Sequence, residues 1–177
     1  MNEKQLATLR RNNEESRDFV KSCFRYALMI ILKDKEDKTI NVTRLCKIAG
    51  VSRMAFYRNY KGIDDVLVDE ITEFGQALLE VIGDDAYDNW LRLFSLAEER
   101  RDDLLAIIEA GFEAKILEVF MSLLPKEETK RTLQAIWFSL FYTLMVKWLK
   151  EGKPRTPEEM ARIAFKFTKG IPLSTNE

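Results

Sequence analysis

The sequence predicts an all-α fold of about nine helices, in which a three-helix N-terminal domain is joined to a C-terminal helical bundle. Apolar residues recur at the intervals of an amphipathic helix, and no stretch shows the alternation of a strand. Only seven glycines and four prolines interrupt 177 residues, so long helices can form. This length fits a small domain followed by a larger one. We place the two domains at residues 1–62 and 63–177.

The first dozen residues are polar and charged, and they predict a frayed arm ahead of the first helix. Ser16 is the predicted cap near the start of that helix. The apolar stripe of the helix comprises Phe19, Val20, Cys23, Phe24, Ala27, Leu28 and Ile31. A charged segment, residues 33–39, connects it to the next helix.

Two short helices with a tight turn between them follow this connection. Asn41 can cap the first, over 42–49, and Ser52 can cap the second, over 53–60. Gly50 lies between them and tolerates the left-handed backbone of a tight turn. Helical spacing places Phe56 and Tyr60 on an inward face. The side chains that point away from this face are Met54, Tyr57 and Arg58.

Six further helices are predicted after residue 62. Asp64 and Asp65 fall in the first turn of a helix over 64–83, where negative charge suits the helix dipole. Further helices are expected over 87–99, 102–110, 113–124 and 127–150, with Pro125 ending the third of these four. Pro157 starts the last helix, which ends near residue 169.

The net charge of −1 conceals a split between the two domains. Residues 1–62 contain 14 Lys and Arg against 7 Asp and Glu, a charge of +7. Residues 63–177 contain 14 against 22, a charge of −8. A basic head on an acidic body suits a protein in which only the head touches a polyphosphate. The charge alone would also suit RNA or an acidic membrane surface.

A short helix, a glycine turn and a second helix with a polar outer face is the layout of a helix-turn-helix. In such a motif the first turn of the second helix meets base edges or phosphates, and flanking cations hold phosphates. The candidate DNA-binding residues are therefore Thr43, Arg44, Ser52, Arg53, Met54, Ala55, Tyr57, Arg58, Asn59 and Lys61.

Composition argues against an enzyme. The chain has no histidine, which removes the commonest general base and metal ligand, and its two cysteines are too few for a disulfide framework. We expect no catalytic residues, no metal site and no cofactor. No apolar run approaches the roughly 20 residues that span a bilayer. Since the N-terminus lacks a signal-peptide core, we expect a cytoplasmic protein without a membrane partner.

Residues 41–67 resemble the DNA-binding signature of the TetR family of transcription regulators. The matching pieces are Ala49-Gly50-Val51-Ser52, then Phe56-Tyr57, Tyr60-Lys61, Asp64-Asp65 and Val66-Leu67. Residues 85–177 match that family in architecture only. The resemblance implies that Tyr57 and Lys61 grip phosphates while Arg53, Met54 and Ala55 face bases. This chain departs from the family pattern at Met54, Ala55 and Asn59, so the family's base contacts do not carry over.

The helix over 127–150 is apolar on two faces. One face carries Leu133, Ile136, Trp137, Leu140, Phe141, Leu144 and Trp148, and the other Phe138, Tyr142, Met145 and Leu149. One face can pack in the monomer core, whereas the other needs a second cover. We expect a homodimer through residues 127–150 and 156–169, as the resemblance also implies. The alternative is a helix buried wholly within one subunit.

Aromatic residues of the C-terminal domain supply material for a ligand pocket. The candidates are Trp90, Phe94, Phe112, Phe120, Trp137, Phe141 and Tyr142, although each could equally be ordinary core. The sequence thus predicts a dimeric repressor that binds a palindromic operator in double-stranded DNA and is modulated by a small-molecule effector. An activator that contacts another transcription component while bound to DNA fits the same residues equally well. The alternative is a helical protein-interaction module or co-activator that works through a protein partner.

Overall fold

A computed structural model of the protein describes residues 3–37, 39–152 and 155–170, with side chains from residue 13 onward. These ranges contain α-helices and no strand, so the predicted all-α fold of about nine helices is confirmed. The nine helices are α1 (Glu3–Lys33), α2 (Val42–Ala49), α3 (Arg53–Asn59), α4 (Ile63–Glu80), α5 (Ala86–Glu99), α6 (Arg101–Glu109), α7 (Glu113–Ser122), α8 (Glu128–Lys150) and α9 (Pro157–Thr168).

The chain divides into two compact units, here called unit 1, which ends at Glu70, and unit 2, which begins at Ile71. The boundary drawn from the sequence, between residues 62 and 63, falls at the start of α4. The contacts instead assign residues 63–70, the first two turns of α4, to unit 1. One helix therefore contributes residues to both units.

Unit 1 is built around an aromatic core in which α1 packs on α2 and α3. Phe24 of α1 meets Phe56 and Tyr60 edge-on, with ring centroids 5.4 Å and 5.9 Å away. Leu28 and Leu45 are fully buried beside them. The inward placement predicted for Phe56 and Tyr60 is confirmed.

The ends of α2 and α3 follow the caps that the sequence predicts. The Asn41 side chain accepts the Arg44 N–H at 2.9 Å, and the Ser52 hydroxyl accepts the Ala55 N–H at 3.2 Å. Gly50 has φ +66°, the left-handed conformation in which a Cβ atom would be strained. Because both caps and the turn form between residues close in the sequence, local interactions determine where α2 ends and where α3 begins.

The first helix corrects two predictions. It begins at Glu3, so Ser16 lies within it and caps nothing; its polar opening is rich in Glu, Lys, Gln, Leu, Ala and Arg, which are strong helix formers. Phe19 is 69% exposed, not part of the core stripe. It precedes Phe24 by five residues, which places it about 140° away around the helix. The limits predicted for α4–α9 agree with the structure to within three residues.

Trp90 lies at the centre of unit 2. It is fully buried on α5, its ring is 6.0 Å from Phe94 and 5.1 Å from Trp137, and its Nε1–H donates to the Thr168 hydroxyl at 2.9 Å. Phe94 also meets Phe141 of α8, at 5.5 Å. The most extensive helix contact in the unit joins α5 to α9, so Trp90 holds α5, α8 and α9 together.

A second group of rings lies between α4, α7 and α8. Phe120 contacts Phe74 at 6.0 Å and Phe138 at 5.8 Å. Gly75 allows a close approach here, because a Cβ on it would lie 2.5 Å from Leu123 Cδ1. Among the described residues, none of the helices has the length and apolarity needed to cross a bilayer.

The Trp90–Thr168 hydrogen bond gives a stability prediction for unit 2. Thr168→Val keeps the side-chain volume but leaves the buried indole N–H without an acceptor, so we expect the free energy of unfolding to fall by about 1–3 kcal/mol. Thr168→Ser retains the hydroxyl and should be closer to wild type. Urea unfolding monitored by tryptophan fluorescence measures both. A loss in Thr168→Val no larger than the loss in Thr168→Ser would contradict the role of this hydrogen bond.

Candidate nucleic-acid interface

The outer face of α3 is exposed, as helical spacing predicts. Met54 is 66% and Tyr57 62% exposed, and Ser52, Arg53 and Arg58 are also exposed. Ala55 and Asn59 are half-buried at the flanks, while the opposite face is buried. A partner approaching unit 1 from this side would therefore meet the polar side of α3 directly.

This face carries an unbalanced positive charge. No Asp or Glu occurs between Asp37 and Asp64, a stretch that contains six Lys and Arg residues. Of the five that the structure describes, four are exposed: Lys47 on α2, Arg53 and Arg58 on α3, and Lys61 just after α3. Because no carboxylate on α2 or α3 neutralises these cations, the face is suited to an anionic partner.

Several contacts hold the side chains of this outer face in place. The Tyr57 ring meets Phe56 edge-on at 5.2 Å. Arg58 NH2 lies 3.4 Å from Met54 Sδ, and Asn59 Nδ2 donates to the Ala55 carbonyl at 2.8 Å. The residues predicted to meet DNA are thus supported by their own helix.

Two residues of the predicted site make bonds within unit 1. Arg53 NH2 donates to the Thr43 hydroxyl at 2.6 Å and so ties the first turn of α3 to that of α2. Arg44 donates to the Asp34 carboxylate and to the carbonyls of Asp37 and Thr39. Arg44 therefore holds the α1–α2 connection together, which leaves fewer of its donors for a phosphate.

The sequence does not predict a cluster of four polar side chains that lies behind α3. We call it the Asp69 cluster, and it consists of Lys21, Arg25, Tyr60 and Asp69. The Asp69 carboxylate accepts hydrogen bonds from Lys21 Nζ at 2.6 Å, Arg25 NH1 at 3.0 Å and the Tyr60 hydroxyl at 2.7 Å. It joins α1, the end of α3 and α4 around one carboxylate.

The environment of the Asp69 cluster keeps Asp69 ionised and Tyr60 protonated. Burial alone would raise the pKa of Asp69, but hydrogen bonds from Lys21, Tyr60 and Arg25 outweigh burial and hold that pKa below its ordinary value. Burial, and then the neighbouring Asp69, raise the pKa of Tyr60 far above its usual range. Tyr60 therefore stays protonated and can donate to an ionised Asp69.

Two smaller contacts at the end of α3 were also missed. Asp65 Oδ2 accepts the Lys61 N–H at 2.7 Å, and Arg17 Nε donates to Asn59 Oδ1 at 3.2 Å. The spacing of Lys21 and Arg25, and of Asp65 and Asp69, is i, i+4, so each pair lies on one helix face. That spacing could have indicated a charged face on each of the two helices, but it does not show that these faces contact each other.

The seven aromatic candidates for a ligand pocket do not form one group. Trp90, Phe94, Trp137 and Phe141 contact one another, whereas Phe120 belongs to the second group of rings. Phe112 is the N-cap residue of α7, and the Tyr142 hydroxyl donates to the Glu113 carbonyl at 3.2 Å. Trp90, Phe94, Phe120 and Phe141 are buried, whereas Phe112, Trp137 and Tyr142 are half-buried.

The helices predicted to form a dimer interface expose apolar side chains in the single chain. Ile136 on α8 is 50% exposed and Phe167 on α9 is 77% exposed. Each precedes a residue that contacts Trp90, since Trp137 packs on its ring and Thr168 accepts its N–H. The two exposed side chains thus belong to helices that meet at the same buried residue.

Comparison with known proteins adds no assignment to this geometry. A scan against protein-family models and a search of curated proteins both find no match to this chain. The residues and their arrangement therefore carry the functional argument.

The depressed pKa of Asp69 predicts a loss of stability in acid. A carboxylate whose folded-state pKa lies below its ordinary value of 3.8 stabilises the fold above that pH, and the stabilisation is lost as the pH falls through the folded-state pKa. Asp69→Asn should therefore be less stable than wild type at pH 7, with the difference narrowing toward pH 3.

The measurement is the free energy of unfolding in urea at both pH values. Asp64→Asn is the control, because it removes an exposed carboxylate from the first turn of the same helix. A gap between wild type and Asp69→Asn that is as wide at pH 3 as at pH 7 would contradict the assignment.

Proposed function

We propose that this protein is a sequence-specific DNA-binding transcription regulator, not an enzyme, of the TetR type that its helix-turn-helix sequence resembles. The observation that carries the proposal is the outer face of α3, which is exposed, cationic and free of carboxylates. Its opposite face is anchored by Phe56 and Tyr60, so the exposed side can lie in a major groove without disturbing the core.

The side chains divide into phosphate and base contacts by their place on the helix. Tyr57 and Lys61, at the far end of α3, are suited to phosphates, while Arg53, Met54 and Ala55 in its first turns would meet base edges. Ala55 has no hydrogen-bonding group in its side chain, and Met54 has only a weakly accepting sulfur that already contacts Arg58. Both side chains can contact a thymine methyl group. The amide of Asn59 and the guanidinium of Arg44 each make more than one bond within unit 1, so we assign them supporting roles. Arg53 bonds Thr43 through one nitrogen, and we assign its other donors to DNA.

A homodimer is part of the proposal. One helix of seven residues touches only a few base pairs, whereas two copies would read a palindrome with half-sites about 34–36 Å apart or a multiple of that distance. The apolar side chains that α8 and α9 leave exposed, Ile136 and Phe167, support an interface made of these two helices from each subunit.

We further propose that the protein acts in the cytoplasm as a repressor and that a small-molecule effector releases it from DNA. An effector can do this only if it binds one spacing of the two DNA-binding heads better than the other. The aromatic interior of unit 2 supplies the apolar surface that such a ligand would need.

Selection of bound duplexes from a random pool tests DNA binding and reports the half-site and its spacing. We expect a palindromic sequence whose affinity falls steeply with salt. Lys61→Gln should weaken binding to that sequence roughly tenfold and reduce the slope of log K against log salt by about 0.9, because one phosphate contact is lost.

The matched control is Lys126→Gln, which removes an exposed lysine between α7 and α8 and should leave affinity and slope unchanged. Binding without sequence preference or salt dependence would refute the proposal. Full biological activity of Lys61→Ala and Tyr57→Ala would favour the protein-interaction module instead.

The dimer is tested by charge substitution on the proposed interface. We expect the wild-type chain to sediment as a dimer, and the double variant Ile136→Glu/Phe167→Glu to sediment as a folded monomer, because buried charges without partners are costly. Phe19→Glu is the control, since Phe19 is 69% exposed but lies on α1. A monomeric wild type, or a double variant that remains dimeric, would contradict this interface.

A further inference from the structure

The end of α3 is held by two carboxylates on one face of α4. Asp65 and Asp69 are one turn apart, and they bind consecutive residues that follow α3. Asp65 accepts the Lys61 N–H, and Asp69 accepts the Tyr60 hydroxyl, both at 2.7 Å. Tyr60 is also the C-cap residue of α3, since its own N–H donates to the Phe56 carbonyl at 2.9 Å. A bond to the Tyr60 side chain is therefore a bond to the end of α3.

The Asp69 carboxylate is also bound by side chains of α1. Lys21 and Arg25 both donate to Asp69, and Arg25 Nε also lies 3.5 Å from Glu70, which is only 7% exposed. Lys21 Nζ lies 5.6 Å from the centre of the Tyr60 ring. Two of the three donors that hold the Asp69 carboxylate therefore lie on α1 and not on α3.

Hydrophobic packing selects which side of α3 is buried, but by itself it does not fix the exact rotation of so short a helix about its axis. The burial of Phe56 is non-directional and tolerates small rotations of α3 about its own axis. A charge-assisted hydrogen bond is directional and penalises them. We propose that Asp69 is a positioning residue, which sets the orientation of α3 through the Tyr60 hydroxyl and so determines how well the outer face fits DNA. This inference rests on the proposed function.

A positioning role and a purely electrostatic role of Asp69 predict opposite changes in DNA affinity when its charge is removed. Removing a negative charge from a unit that binds DNA should strengthen its attraction to phosphates. Removing a carboxylate that orients α3 should weaken sequence-specific binding. Asp69→Asn preserves volume and separates the two effects by the direction of the change.

The experiment compares Asp69→Asn, Tyr60→Phe and their double variant on the selected duplex, at a temperature where urea titrations show each chain fully folded. We expect each single variant to bind roughly tenfold more weakly than wild type. The double variant should bind no more weakly than the worse single variant, because both substitutions remove the same bond. Asp64→Asn, which removes an exposed carboxylate from the same helix, should bind as well as wild type or more tightly.

Amide hydrogen exchange supplies a readout that needs no DNA. In Asp69→Asn and Tyr60→Phe we expect exchange over residues 53–61 to accelerate more than exchange over α2, because a loss of stability alone would accelerate exchange across unit 1 equally. Trp90, Trp137 and Trp148 all lie in unit 2, so tryptophan fluorescence confirms that this unit is intact. If Asp69→Asn does not fold, Tyr60→Phe carries the test, since it leaves every charge in place.

The two readouts separate the failure of this inference from the failure of the proposed function. A wild type that binds no duplex, with exchange in α3 still accelerated in the variants, would remove the DNA-binding function and leave Asp69 as the residue that holds α3. Wild-type affinity in Asp69→Asn, or exchange accelerated equally throughout unit 1, would overturn the positioning role.

Discussion

The burial of Phe56 and Tyr60 against Phe24 is the contact on which the architecture of unit 1 depends. A helix of seven residues is too short to be stable alone in water, because nucleating it costs more than its few hydrogen bonds return. Packing on α1 supplies the missing free energy. The same packing decides which side of α3 faces outward, and the Ser52 cap and Gly50 turn decide where the helix begins. The exposed cationic face is thus a consequence of the buried aromatic one.

Features with a local cause could be predicted from the sequence. Asn41 and Ser52 cap their helices through bonds to residues three positions away, and helical spacing alone separates Phe56 from Met54. Features that depend on contacts between residues distant in the sequence could not be predicted from it. Asp69 meets Lys21 across 48 positions, and neither residue type nor spacing identifies that partner. Polarity at the start of α1 indicates an arm, but the same residues favour a helix, and the helix begins at Glu3.

Unit 2 shows the same division between local and long-range information. The limits of α5 to α9 were predictable from periodicity, glycines and prolines. The contacts between its aromatic residues were not predictable, because they join different helices. Trp90 contacts rings on α5 and α8 and donates a hydrogen bond to a hydroxyl on α9. These rings pack against one another, and interiors packed in this way respond to small changes in volume. Any molecule that entered this region would have to displace or reorient side chains.

The edge-on contact between Tyr57 and Phe56 has a thermodynamic consequence for whatever binds the outer face. Tyr57 is 62% exposed, yet its ring is already restrained by a buried neighbour 5.2 Å away. An exposed side chain normally loses rotameric freedom when a partner immobilises it, at a cost of roughly 0.5–1.5 kcal/mol. For Tyr57 much of that entropy is lost during folding and not during association. A molecule that bound this surface would therefore meet one aromatic side chain that is already restrained.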